Sequence, residues 1–306
     1  MKILIIGLGS IAMKHINAIQ QLVKNCSIYA LRSQENSHKD IKAGINNIYE
    51  ISEIDMGAID FVIIANPTAL HYETIKKLTN FDRPLFIEKP LFSKITEETK
   101  DLITTISKKN IVTYVACNLR FLDSIIEIKN IIKTERVNEV NVYCGSYLPE
   151  WRPGLDFRKV YSAHKELGGG VHIDLIHELD YIYWLWNEPL ERKSFFSNRS
   201  SLNITSFDYA NYLWIYNDFS VSIVLNYYRK DSKRSLEIIT DSGTYMVNLL
   251  ENTIAKNGII IYSSAQRIQD TYKSQMEYFI GSVLQAKESF NTVEEANRIL
   301  ELCITD

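Results

Sequence analysis

The stretch MKILIIGLGSIAMKHINAIQQL, residues 1–22, decides the fold. Lys2 to Ile6 is a short, nearly unbroken apolar run, read as a strand covered on both faces. From Ile11 the period changes, and Ile11, His15, Ala18, Ile19 and Leu22 fall near one stripe of a helix. Between the two lie Gly7, Gly9 and Ala12 in the order G-x-G-x-x-A, with Ser10 and Ile11 completing the turn. The first glycine permits the sharp turn, the second lets backbone approach a pyrophosphate, and the small third residue lets helix pack on strand. The first N–H groups of such a helix, with their partial positive charge, face the phosphates.

Working outward, the same alternation continues. CSIYALR, AIDFVIIAN near residues 58–66, RPLFIEKP and NIVTYVAC read as strands, with helices from about Ala69 to Leu78 and from about Thr96 to Lys108. Apolar strands alternating with helices predict a doubly wound, Rossmann-type parallel sheet. Arg32 and Ser33 stand at the end of the second strand, where an acid would take a ribose 2′-hydroxyl and an arginine a 2′-phosphate. Arg32 favours NADP(H); the nearby Glu35, and the capacity of arginine to stack on adenine, leave NAD(H) open. Farther on, EVNVYCGSYL, FDYANYLWIY, FSVSIVLNYY, RSLEIITD and TYMVNLL read as strands joined by turns at Asn217-Asp218 and Asp241-Ser242-Gly243. Short links favour antiparallel neighbours. Helices near Asp270 to Lys287 and Thr292 to Cys303 end the chain. The fold class is therefore α/β: a first lobe over residues 1–119, and an α+β lobe over residues 120–306 built on an open, mostly antiparallel sheet.

Bulk properties agree with two lobes, since a single core rarely grows past about 250–300 residues and the chain has 306. A net charge of -3 provides no basic field for nucleic acid. The four cysteines are scattered, without metal-ligand spacing, as expected of free thiols in a reducing compartment. No apolar run approaches the roughly 20 residues of a spanning helix, and the chain enters an apolar strand at Lys2 without a secretory leader. The expectation is a soluble, cytoplasmic protein with no nucleic-acid, membrane or metal partner.

Three other segments carry candidate chemistry. Glu88-Lys89-Pro90 follows an apolar strand, at the sheet edge where open α/β folds bind ligands, so Lys89 is aimed at a crevice and Glu88 is placed to orient its ammonium. GGGVHIDLIHELDYIYWL begins at Gly168; a helix from about Gly170 places Asp174, His177, Glu178 and Tyr181 on one face. The glycines are read as removing side chains so that a substrate or nicotinamide ring reaches the backbone beside Asp174 and His177, the alternative being a helix cap with a solvated face. His172 points elsewhere and is structural. Residues 146–167 show no period yet are aromatic, the mark of an ordered functional loop. There Trp151 and Tyr161 offer flat faces. Arg152 and Arg158 either fork an anionic substrate group or pair with Glu150, Asp156 and Glu166 to fasten the loop.

Taken together, EKPL at residues 88–91, ANPTALH at residues 65–71 and the Gly/Asp/His segment resemble the Gfo/Idh/MocA oxidoreductases over essentially the whole chain. The resemblance implies a dinucleotide-binding lobe followed by a substrate-binding and oligomerisation lobe. Its usual chemistry is NAD(P)-dependent oxidation or reduction of sugars, cyclitols and related polyols, nucleotide sugars among them. It implies that Asn66, Pro67 and Thr68 line the nicotinamide ribose and that His71 borders the pocket, although His71 could equally pack within its helix. It puts Asn118 near the cofactor and Arg120 near the substrate, and it implies a cis peptide before Pro90. Subunits would join as a homodimer or homotetramer through the second sheet. Lys89 and His177 are expected to handle the proton, with Asp174 contacting substrate or orienting His177. The chain departs from the family pattern in one respect: Asp174 and His177 are three residues apart instead of four. The rival reading is a dinucleotide-binding sensor or scaffold without turnover.

Overall fold

A computed structural model describes residues 1–33, 44–286 and 289–304. It divides into two compact units. The first comprises Met1–Ala116 with Tyr272–Arg298; the second comprises Cys117–Thr271 and the chain from Ile299. Residues 272–298 thus return to the first unit, an excursion that an apolar pattern of successive strands and helices does not announce.

In the first unit the elements run β1 (Lys2–Ile6), α1 (Ser10–Leu22), β2 (Ser27–Leu31), β3 (Ile45–Ile48), β4 (Phe61–Ile64), α2 (His71–Leu78), β5 (Leu85–Ile87), α3 (Glu97–Lys108) and β6 (Thr113–Val115). The sheet order is β3-β2-β1-β4-β5-β6 with every pairing parallel. Ile3 to Ile5, Phe61 to Ile64 and Leu85 to Ile87 are wholly buried, which is why these strands read as continuous apolar runs. The chain order reverses between β1 and β4, and that switch point fixes where a ligand fits, at their carboxyl ends. The returning segment seats Phe279 against Phe61 and Phe86, with ring centroids 5.1 and 5.2 Å away. It also extends the sheet edge, where Val115 N donates to Asn291 O at 2.8 Å.

The second unit carries α4 (Asp123–Ile131), β7 (Val137–Tyr147), α5 (Val171–Asp174), α6 (His177–Trp186), β8 (Glu191–Ser197), β9 (Tyr209–Ile215), β10 (Ser220–Asn226), β11 (Tyr228–Thr240), β12 (Gly243–Asn248), β13 (Thr253–Lys256) and β14 (Ile259–Ser263). Its eight strands lie in the order β14-β13-β12-β11-β7-β10-β9-β8, antiparallel except for β7 with β10. One face is apolar and buried, with Val221, Ile223 and Leu225 of β10 beside Val140 and Val142 of β7. The five strands expected in this lobe are β7 and β9 to β12. β8, β13 and β14 escaped the sequence reading because none alternates cleanly: β8 is nowhere buried, the four-residue β13 buries only Ile254, and Ile259, Ile260 and Ile261 of the edge strand β14 are all exposed. Among the described residues no helix is long and apolar enough to cross a membrane.

Candidate functional site

At the mouth of the first unit the glycine turn behaves as its spacing requires. Gly7 has φ +86°, and a Cβ there would lie 2.7 Å from Asn66 Cα, so the turn closes directly on the end of β4. A Cβ at Gly9 would meet nothing within 4 Å. Gly9 is also the N-cap of α1, so the first N–H groups of the helix, at Ser10, Ile11 and Ala12, receive no side-chain cap from it. Backbone donors, a positive helix end and room beside a glycine fit a dinucleotide pyrophosphate. Arg32 follows β2, half-buried, its backbone N donating to Ile48 O at 2.9 Å, and Ser33 next to it is exposed.

Lys89 follows β5, half-buried, and the Lys89-Pro90 peptide is cis. Glu88 beside it is buried, and its carboxylate is committed inward: Oε1 lies 2.5 Å from His15 Nε2 and Oε2 accepts the Lys89 backbone N–H at 3.3 Å. His71 is likewise wholly buried, with Nδ1 3.0 Å from Leu91 O and Nε2 3.1 Å from Asn66 O. Both carbonyls only accept, and satisfying both would require the imidazolium, while burial holds the His71 pKa below its ordinary value. His71 thus packs from inside between the loop after β4 and the loop after β5, with one ring nitrogen able to donate to a carbonyl at a time in the neutral state. Asn66 extends this support, donating from Nδ2 to Thr74 Oγ1 at 2.9 Å, while Pro67 and Thr68 remain at the surface and partly buried respectively.

The second glycine run has a different cause from the one expected. A Cβ on Gly169 would lie 2.1 Å from Tyr161 O and 2.8 Å from Ser162 O. One on Gly170, at φ +141°, would lie 2.6 Å from Cε1 of His172. The glycines are required because the chain's own loop and its own imidazole press against them; what approaches is protein, not ligand. The helix beyond is broken, α5 ending at Asp174 and α6 beginning at His177. Asp174 is buried and accepts hydrogen bonds from two phenols, Tyr161 and, at 2.5 Å, Tyr227. Burial, followed by the Asp174 charge, raises both phenol pKa values, so these groups stay protonated and donating.

On the helix face read as polar and ionisable, Asp174 and Glu178 are buried, as is Asp180, so the alternative of a solvated face does not hold for them. Glu178 takes Nε and Nη2 of Arg234 at 2.5 and 3.0 Å, and Asp180 takes Nε and Nη2 of Arg120 at 2.9 and 2.6 Å. Arg120 is 1% exposed, so its guanidinium is spent anchoring α6. Losing one partner of such a buried pair costs about 3–5 kcal/mol. Asn118 is also buried and donates to Thr271 Oγ1 at 2.7 Å. His177, at the first position of the helix held by both pairs, is only partly buried. Tyr227 and Arg234 were missed by the sequence reading, and the partner of Glu178 with them, since these roles rest on contacts more than 50 residues apart in sequence.

The aperiodic loop proves to be a chain of 3-10 turns, at Leu148–Glu150, Phe157–Lys159, Tyr161–Ala163 and Lys165–Leu167. Trp151 stands over Tyr227 edge-on at 5.2 Å, its indole N–H donating to Ser146. Arg152 lies over the Tyr161 ring and Arg158 over Phe157. Among the described residues neither arginine forms an ion pair with a carboxylate. Fastening of the loop by Glu150, Asp156 and Glu166 is therefore not what holds them.

The match to known proteins agrees with the cradle. The model of an oxidoreductase family described as an NAD-binding Rossmann fold covers residues 1–117. The resemblance to the Gfo/Idh/MocA family is thus supported over residues 1–117. The chain superposes on a UDP-N-acetylglucosamine 3-dehydrogenase from Acidithiobacillus ferrooxidans with a TM-score of 0.80 at 17% identity, covering 99% of this chain and 95% of that one. A scyllo-inositol dehydrogenase from Lactobacillus casei, solved with NAD(H) and scyllo-inositol, gives 0.77 at 20% identity over 99% and 94%. These likenesses show a shared two-unit fold. In sequence, the NADP(+)-dependent scyllo-inositol 2-dehydrogenase of Bacillus subtilis is 29% identical over 144 residues, 46% of this chain and 39% of that protein. The matches to the first curated relatives span 34% and 51% of their lengths.

Proposed function

We propose that the protein is an NAD(P)-dependent oxidoreductase acting at a CH–OH carbon, or its ketone, of a sugar-like substrate, nucleotide sugars included. The observation that carries this reading is the family-matched cradle, in which Gly9 has open space beside it and gives α1 no side-chain cap, in the unit that also carries Lys89 at the end of β5. Gly7, Gly9, Ser10, Ile11 and Ala12 would hold the pyrophosphate, Arg32 and Ser33 the adenosine ribose, and Asn66, Pro67 and Thr68 the nicotinamide ribose. His71 and Glu88 would support the cofactor site from within the first unit, and Asn118 is proposed as a further cofactor contact. Arg32 favours NADP(H), with NAD(H) the alternative. When bound, the nicotinamide supplies the hydride chemistry.

The side chains do the rest. Lys89 donates a hydrogen bond to the substrate oxygen and stabilises charge developing on it. His177 takes or returns the hydroxyl proton, a task that an imidazole suits near neutral pH. Asp174, gripped by Tyr161 and Tyr227, is fixed as the carboxylate that orients this group. Trp151 is the platform for a sugar ring or base. Arg152 and Arg158, without carboxylate partners among the described residues, suit an anionic substituent, and Arg120 acts through α6. The exposed sheet face, where Phe195 is 64% exposed on the same side as Leu213 and Met246, is the surface proposed for joining subunits.

The test is nicotinamide absorbance with NADPH and with NADH against a panel of sugars, cyclitols and nucleotide sugars. Turnover of a panel member, with kcat/KM reduced about 10²–10⁴-fold in Lys89→Ala, is the expected result. Cofactor binding without turnover of any panel member, with Lys89→Ala leaving ligand affinity unchanged, would instead identify a sensor.

A further inference from the structure

Outside the groups already assigned roles, one buried titratable side chain stands out. His15 is 0% exposed in the middle of α1, at a helix position that a leucine would fill without any polar atom to satisfy. Burying an imidazole is costly unless it is hydrogen-bonded. Its bond runs to Glu88, and an ionised carboxylate only accepts, so Nε2 is the donor. The ring plane is set by Phe86 at 4.8 Å and Tyr272 at 5.8 Å, both edge-on. The carboxylate that His15 holds is the one whose other oxygen receives the Lys89 amide.

We propose that His15 is a positioning residue: through the Glu88 carboxylate it fixes the Lys89 turn relative to the helix that opens at the Gly7–Ala12 cradle. Lys89 is the residue between two held points. Glu88 is gripped from α1 by His15, and Leu91 O is gripped from α2 by His71. Both helices begin at the loops that face the ligand, after Gly9 and after Asn66 to Thr68. The seat of the dinucleotide and the backbone of the lysine are thereby tied by one buried carboxylate. Misplacement of a reacting group by about 1 Å can lower a rate by up to about 10²-fold, and it does so without weakening cofactor binding to the same degree.

This inference rests on the role given to Lys89 in the proposed function, so its test has an arm that needs no turnover. The full chain is prepared as wild type, His15→Leu and His15→Gln, the glutamine amide being able to donate to Glu88. Amide hydrogen exchange is followed by mass spectrometry in the cofactor-free protein, and kcat and cofactor affinity are measured alongside. In His15→Leu we expect exchange at the Lys89 amide to rise about tenfold and kcat to fall about tenfold, with cofactor affinity within about threefold of wild type and amides of β1 and β4 unchanged. His15→Gln should recover most of both effects. Exchange at Lys89 within about twofold of wild type in His15→Leu overturns the proposal, as does accelerated exchange throughout the unit with His15→Gln behaving like His15→Leu. If the wild type turns over no panel member, the enzymatic reading fails while the exchange result still decides the role of His15.

Discussion

Two glycine runs precede helices in this chain, and the structure gives them opposite meanings. At Gly7 and Gly9 one glycine packs on backbone and the other opens on nothing within 4 Å. At Gly169 and Gly170 both press on the protein itself, the nearest atom being Tyr161 O at 2.1 Å. A glycine in sequence reports that something comes close, but not what. In the first run the spacing to a strand and a helix is that of a phosphate-binding turn, the role proposed for it; in the second, the visitor is the aperiodic loop that brings Tyr161 onto Asp174.

That contrast can be broken most forcefully at Gly169. Gly169→Ala places a methyl into a backbone carbonyl, and we expect a loss of more than about 4 kcal/mol in urea unfolding, or no folded protein at all. A well-folded Gly169→Ala with ordinary stability would return this run to the ligand-approach reading. Next in size is the imidazole that occupies the space left by Gly170. His172 is buried, and burial lowers its pKa to about 4, against an ordinary value near 6.5. With the folded value depressed, the unfolded chain binds more protons between those limits. Stability from this group is therefore complete above about pH 6.5 and is lost as pH falls towards about 4, by up to about 3 kcal/mol. Urea unfolding at pH 7.5 and pH 5 should show a smaller acid loss in His172→Leu than in wild type; an identical loss would mean that the ring is not titrating there. The smallest effect belongs to the first run. Gly9→Ala has room for its methyl in the protein but intrudes on the phosphate seat, so dinucleotide Kd should rise about tenfold in a titration while stability changes by less than about 0.5 kcal/mol. Unchanged affinity would argue against the seat proposed for the pyrophosphate.

The fold was largely legible. The continuous strands of the first sheet and the alternating ones of β7 and β9 to β12 each advertise their burial, whereas β3, β8, β13 and β14 are short, edge-placed or polar on both faces and advertise nothing. Local geometry was legible where residues are neighbours in sequence, as in the sharp turn at Gly7 and the cis Lys89-Pro90 peptide. It was illegible where they are not. Arg120 was read as near a substrate and is bonded to Asp180; Glu178 was read only as part of a polar helix face and is bonded to Arg234.

By itself, then, the sequence determined the period of the buried strands and amphipathic helices, the glycine turn between β1 and α1 and the identity of the charged groups, because hydrophobic spacing and local backbone requirements are properties of adjacent residues. Only the tertiary structure decided which carboxylate each arginine neutralises, which oxygen His15 grips and what the second glycine run accommodates. Those choices are made by desolvation: a charge taken out of water must find a partner wherever the fold places one, at whatever distance along the chain.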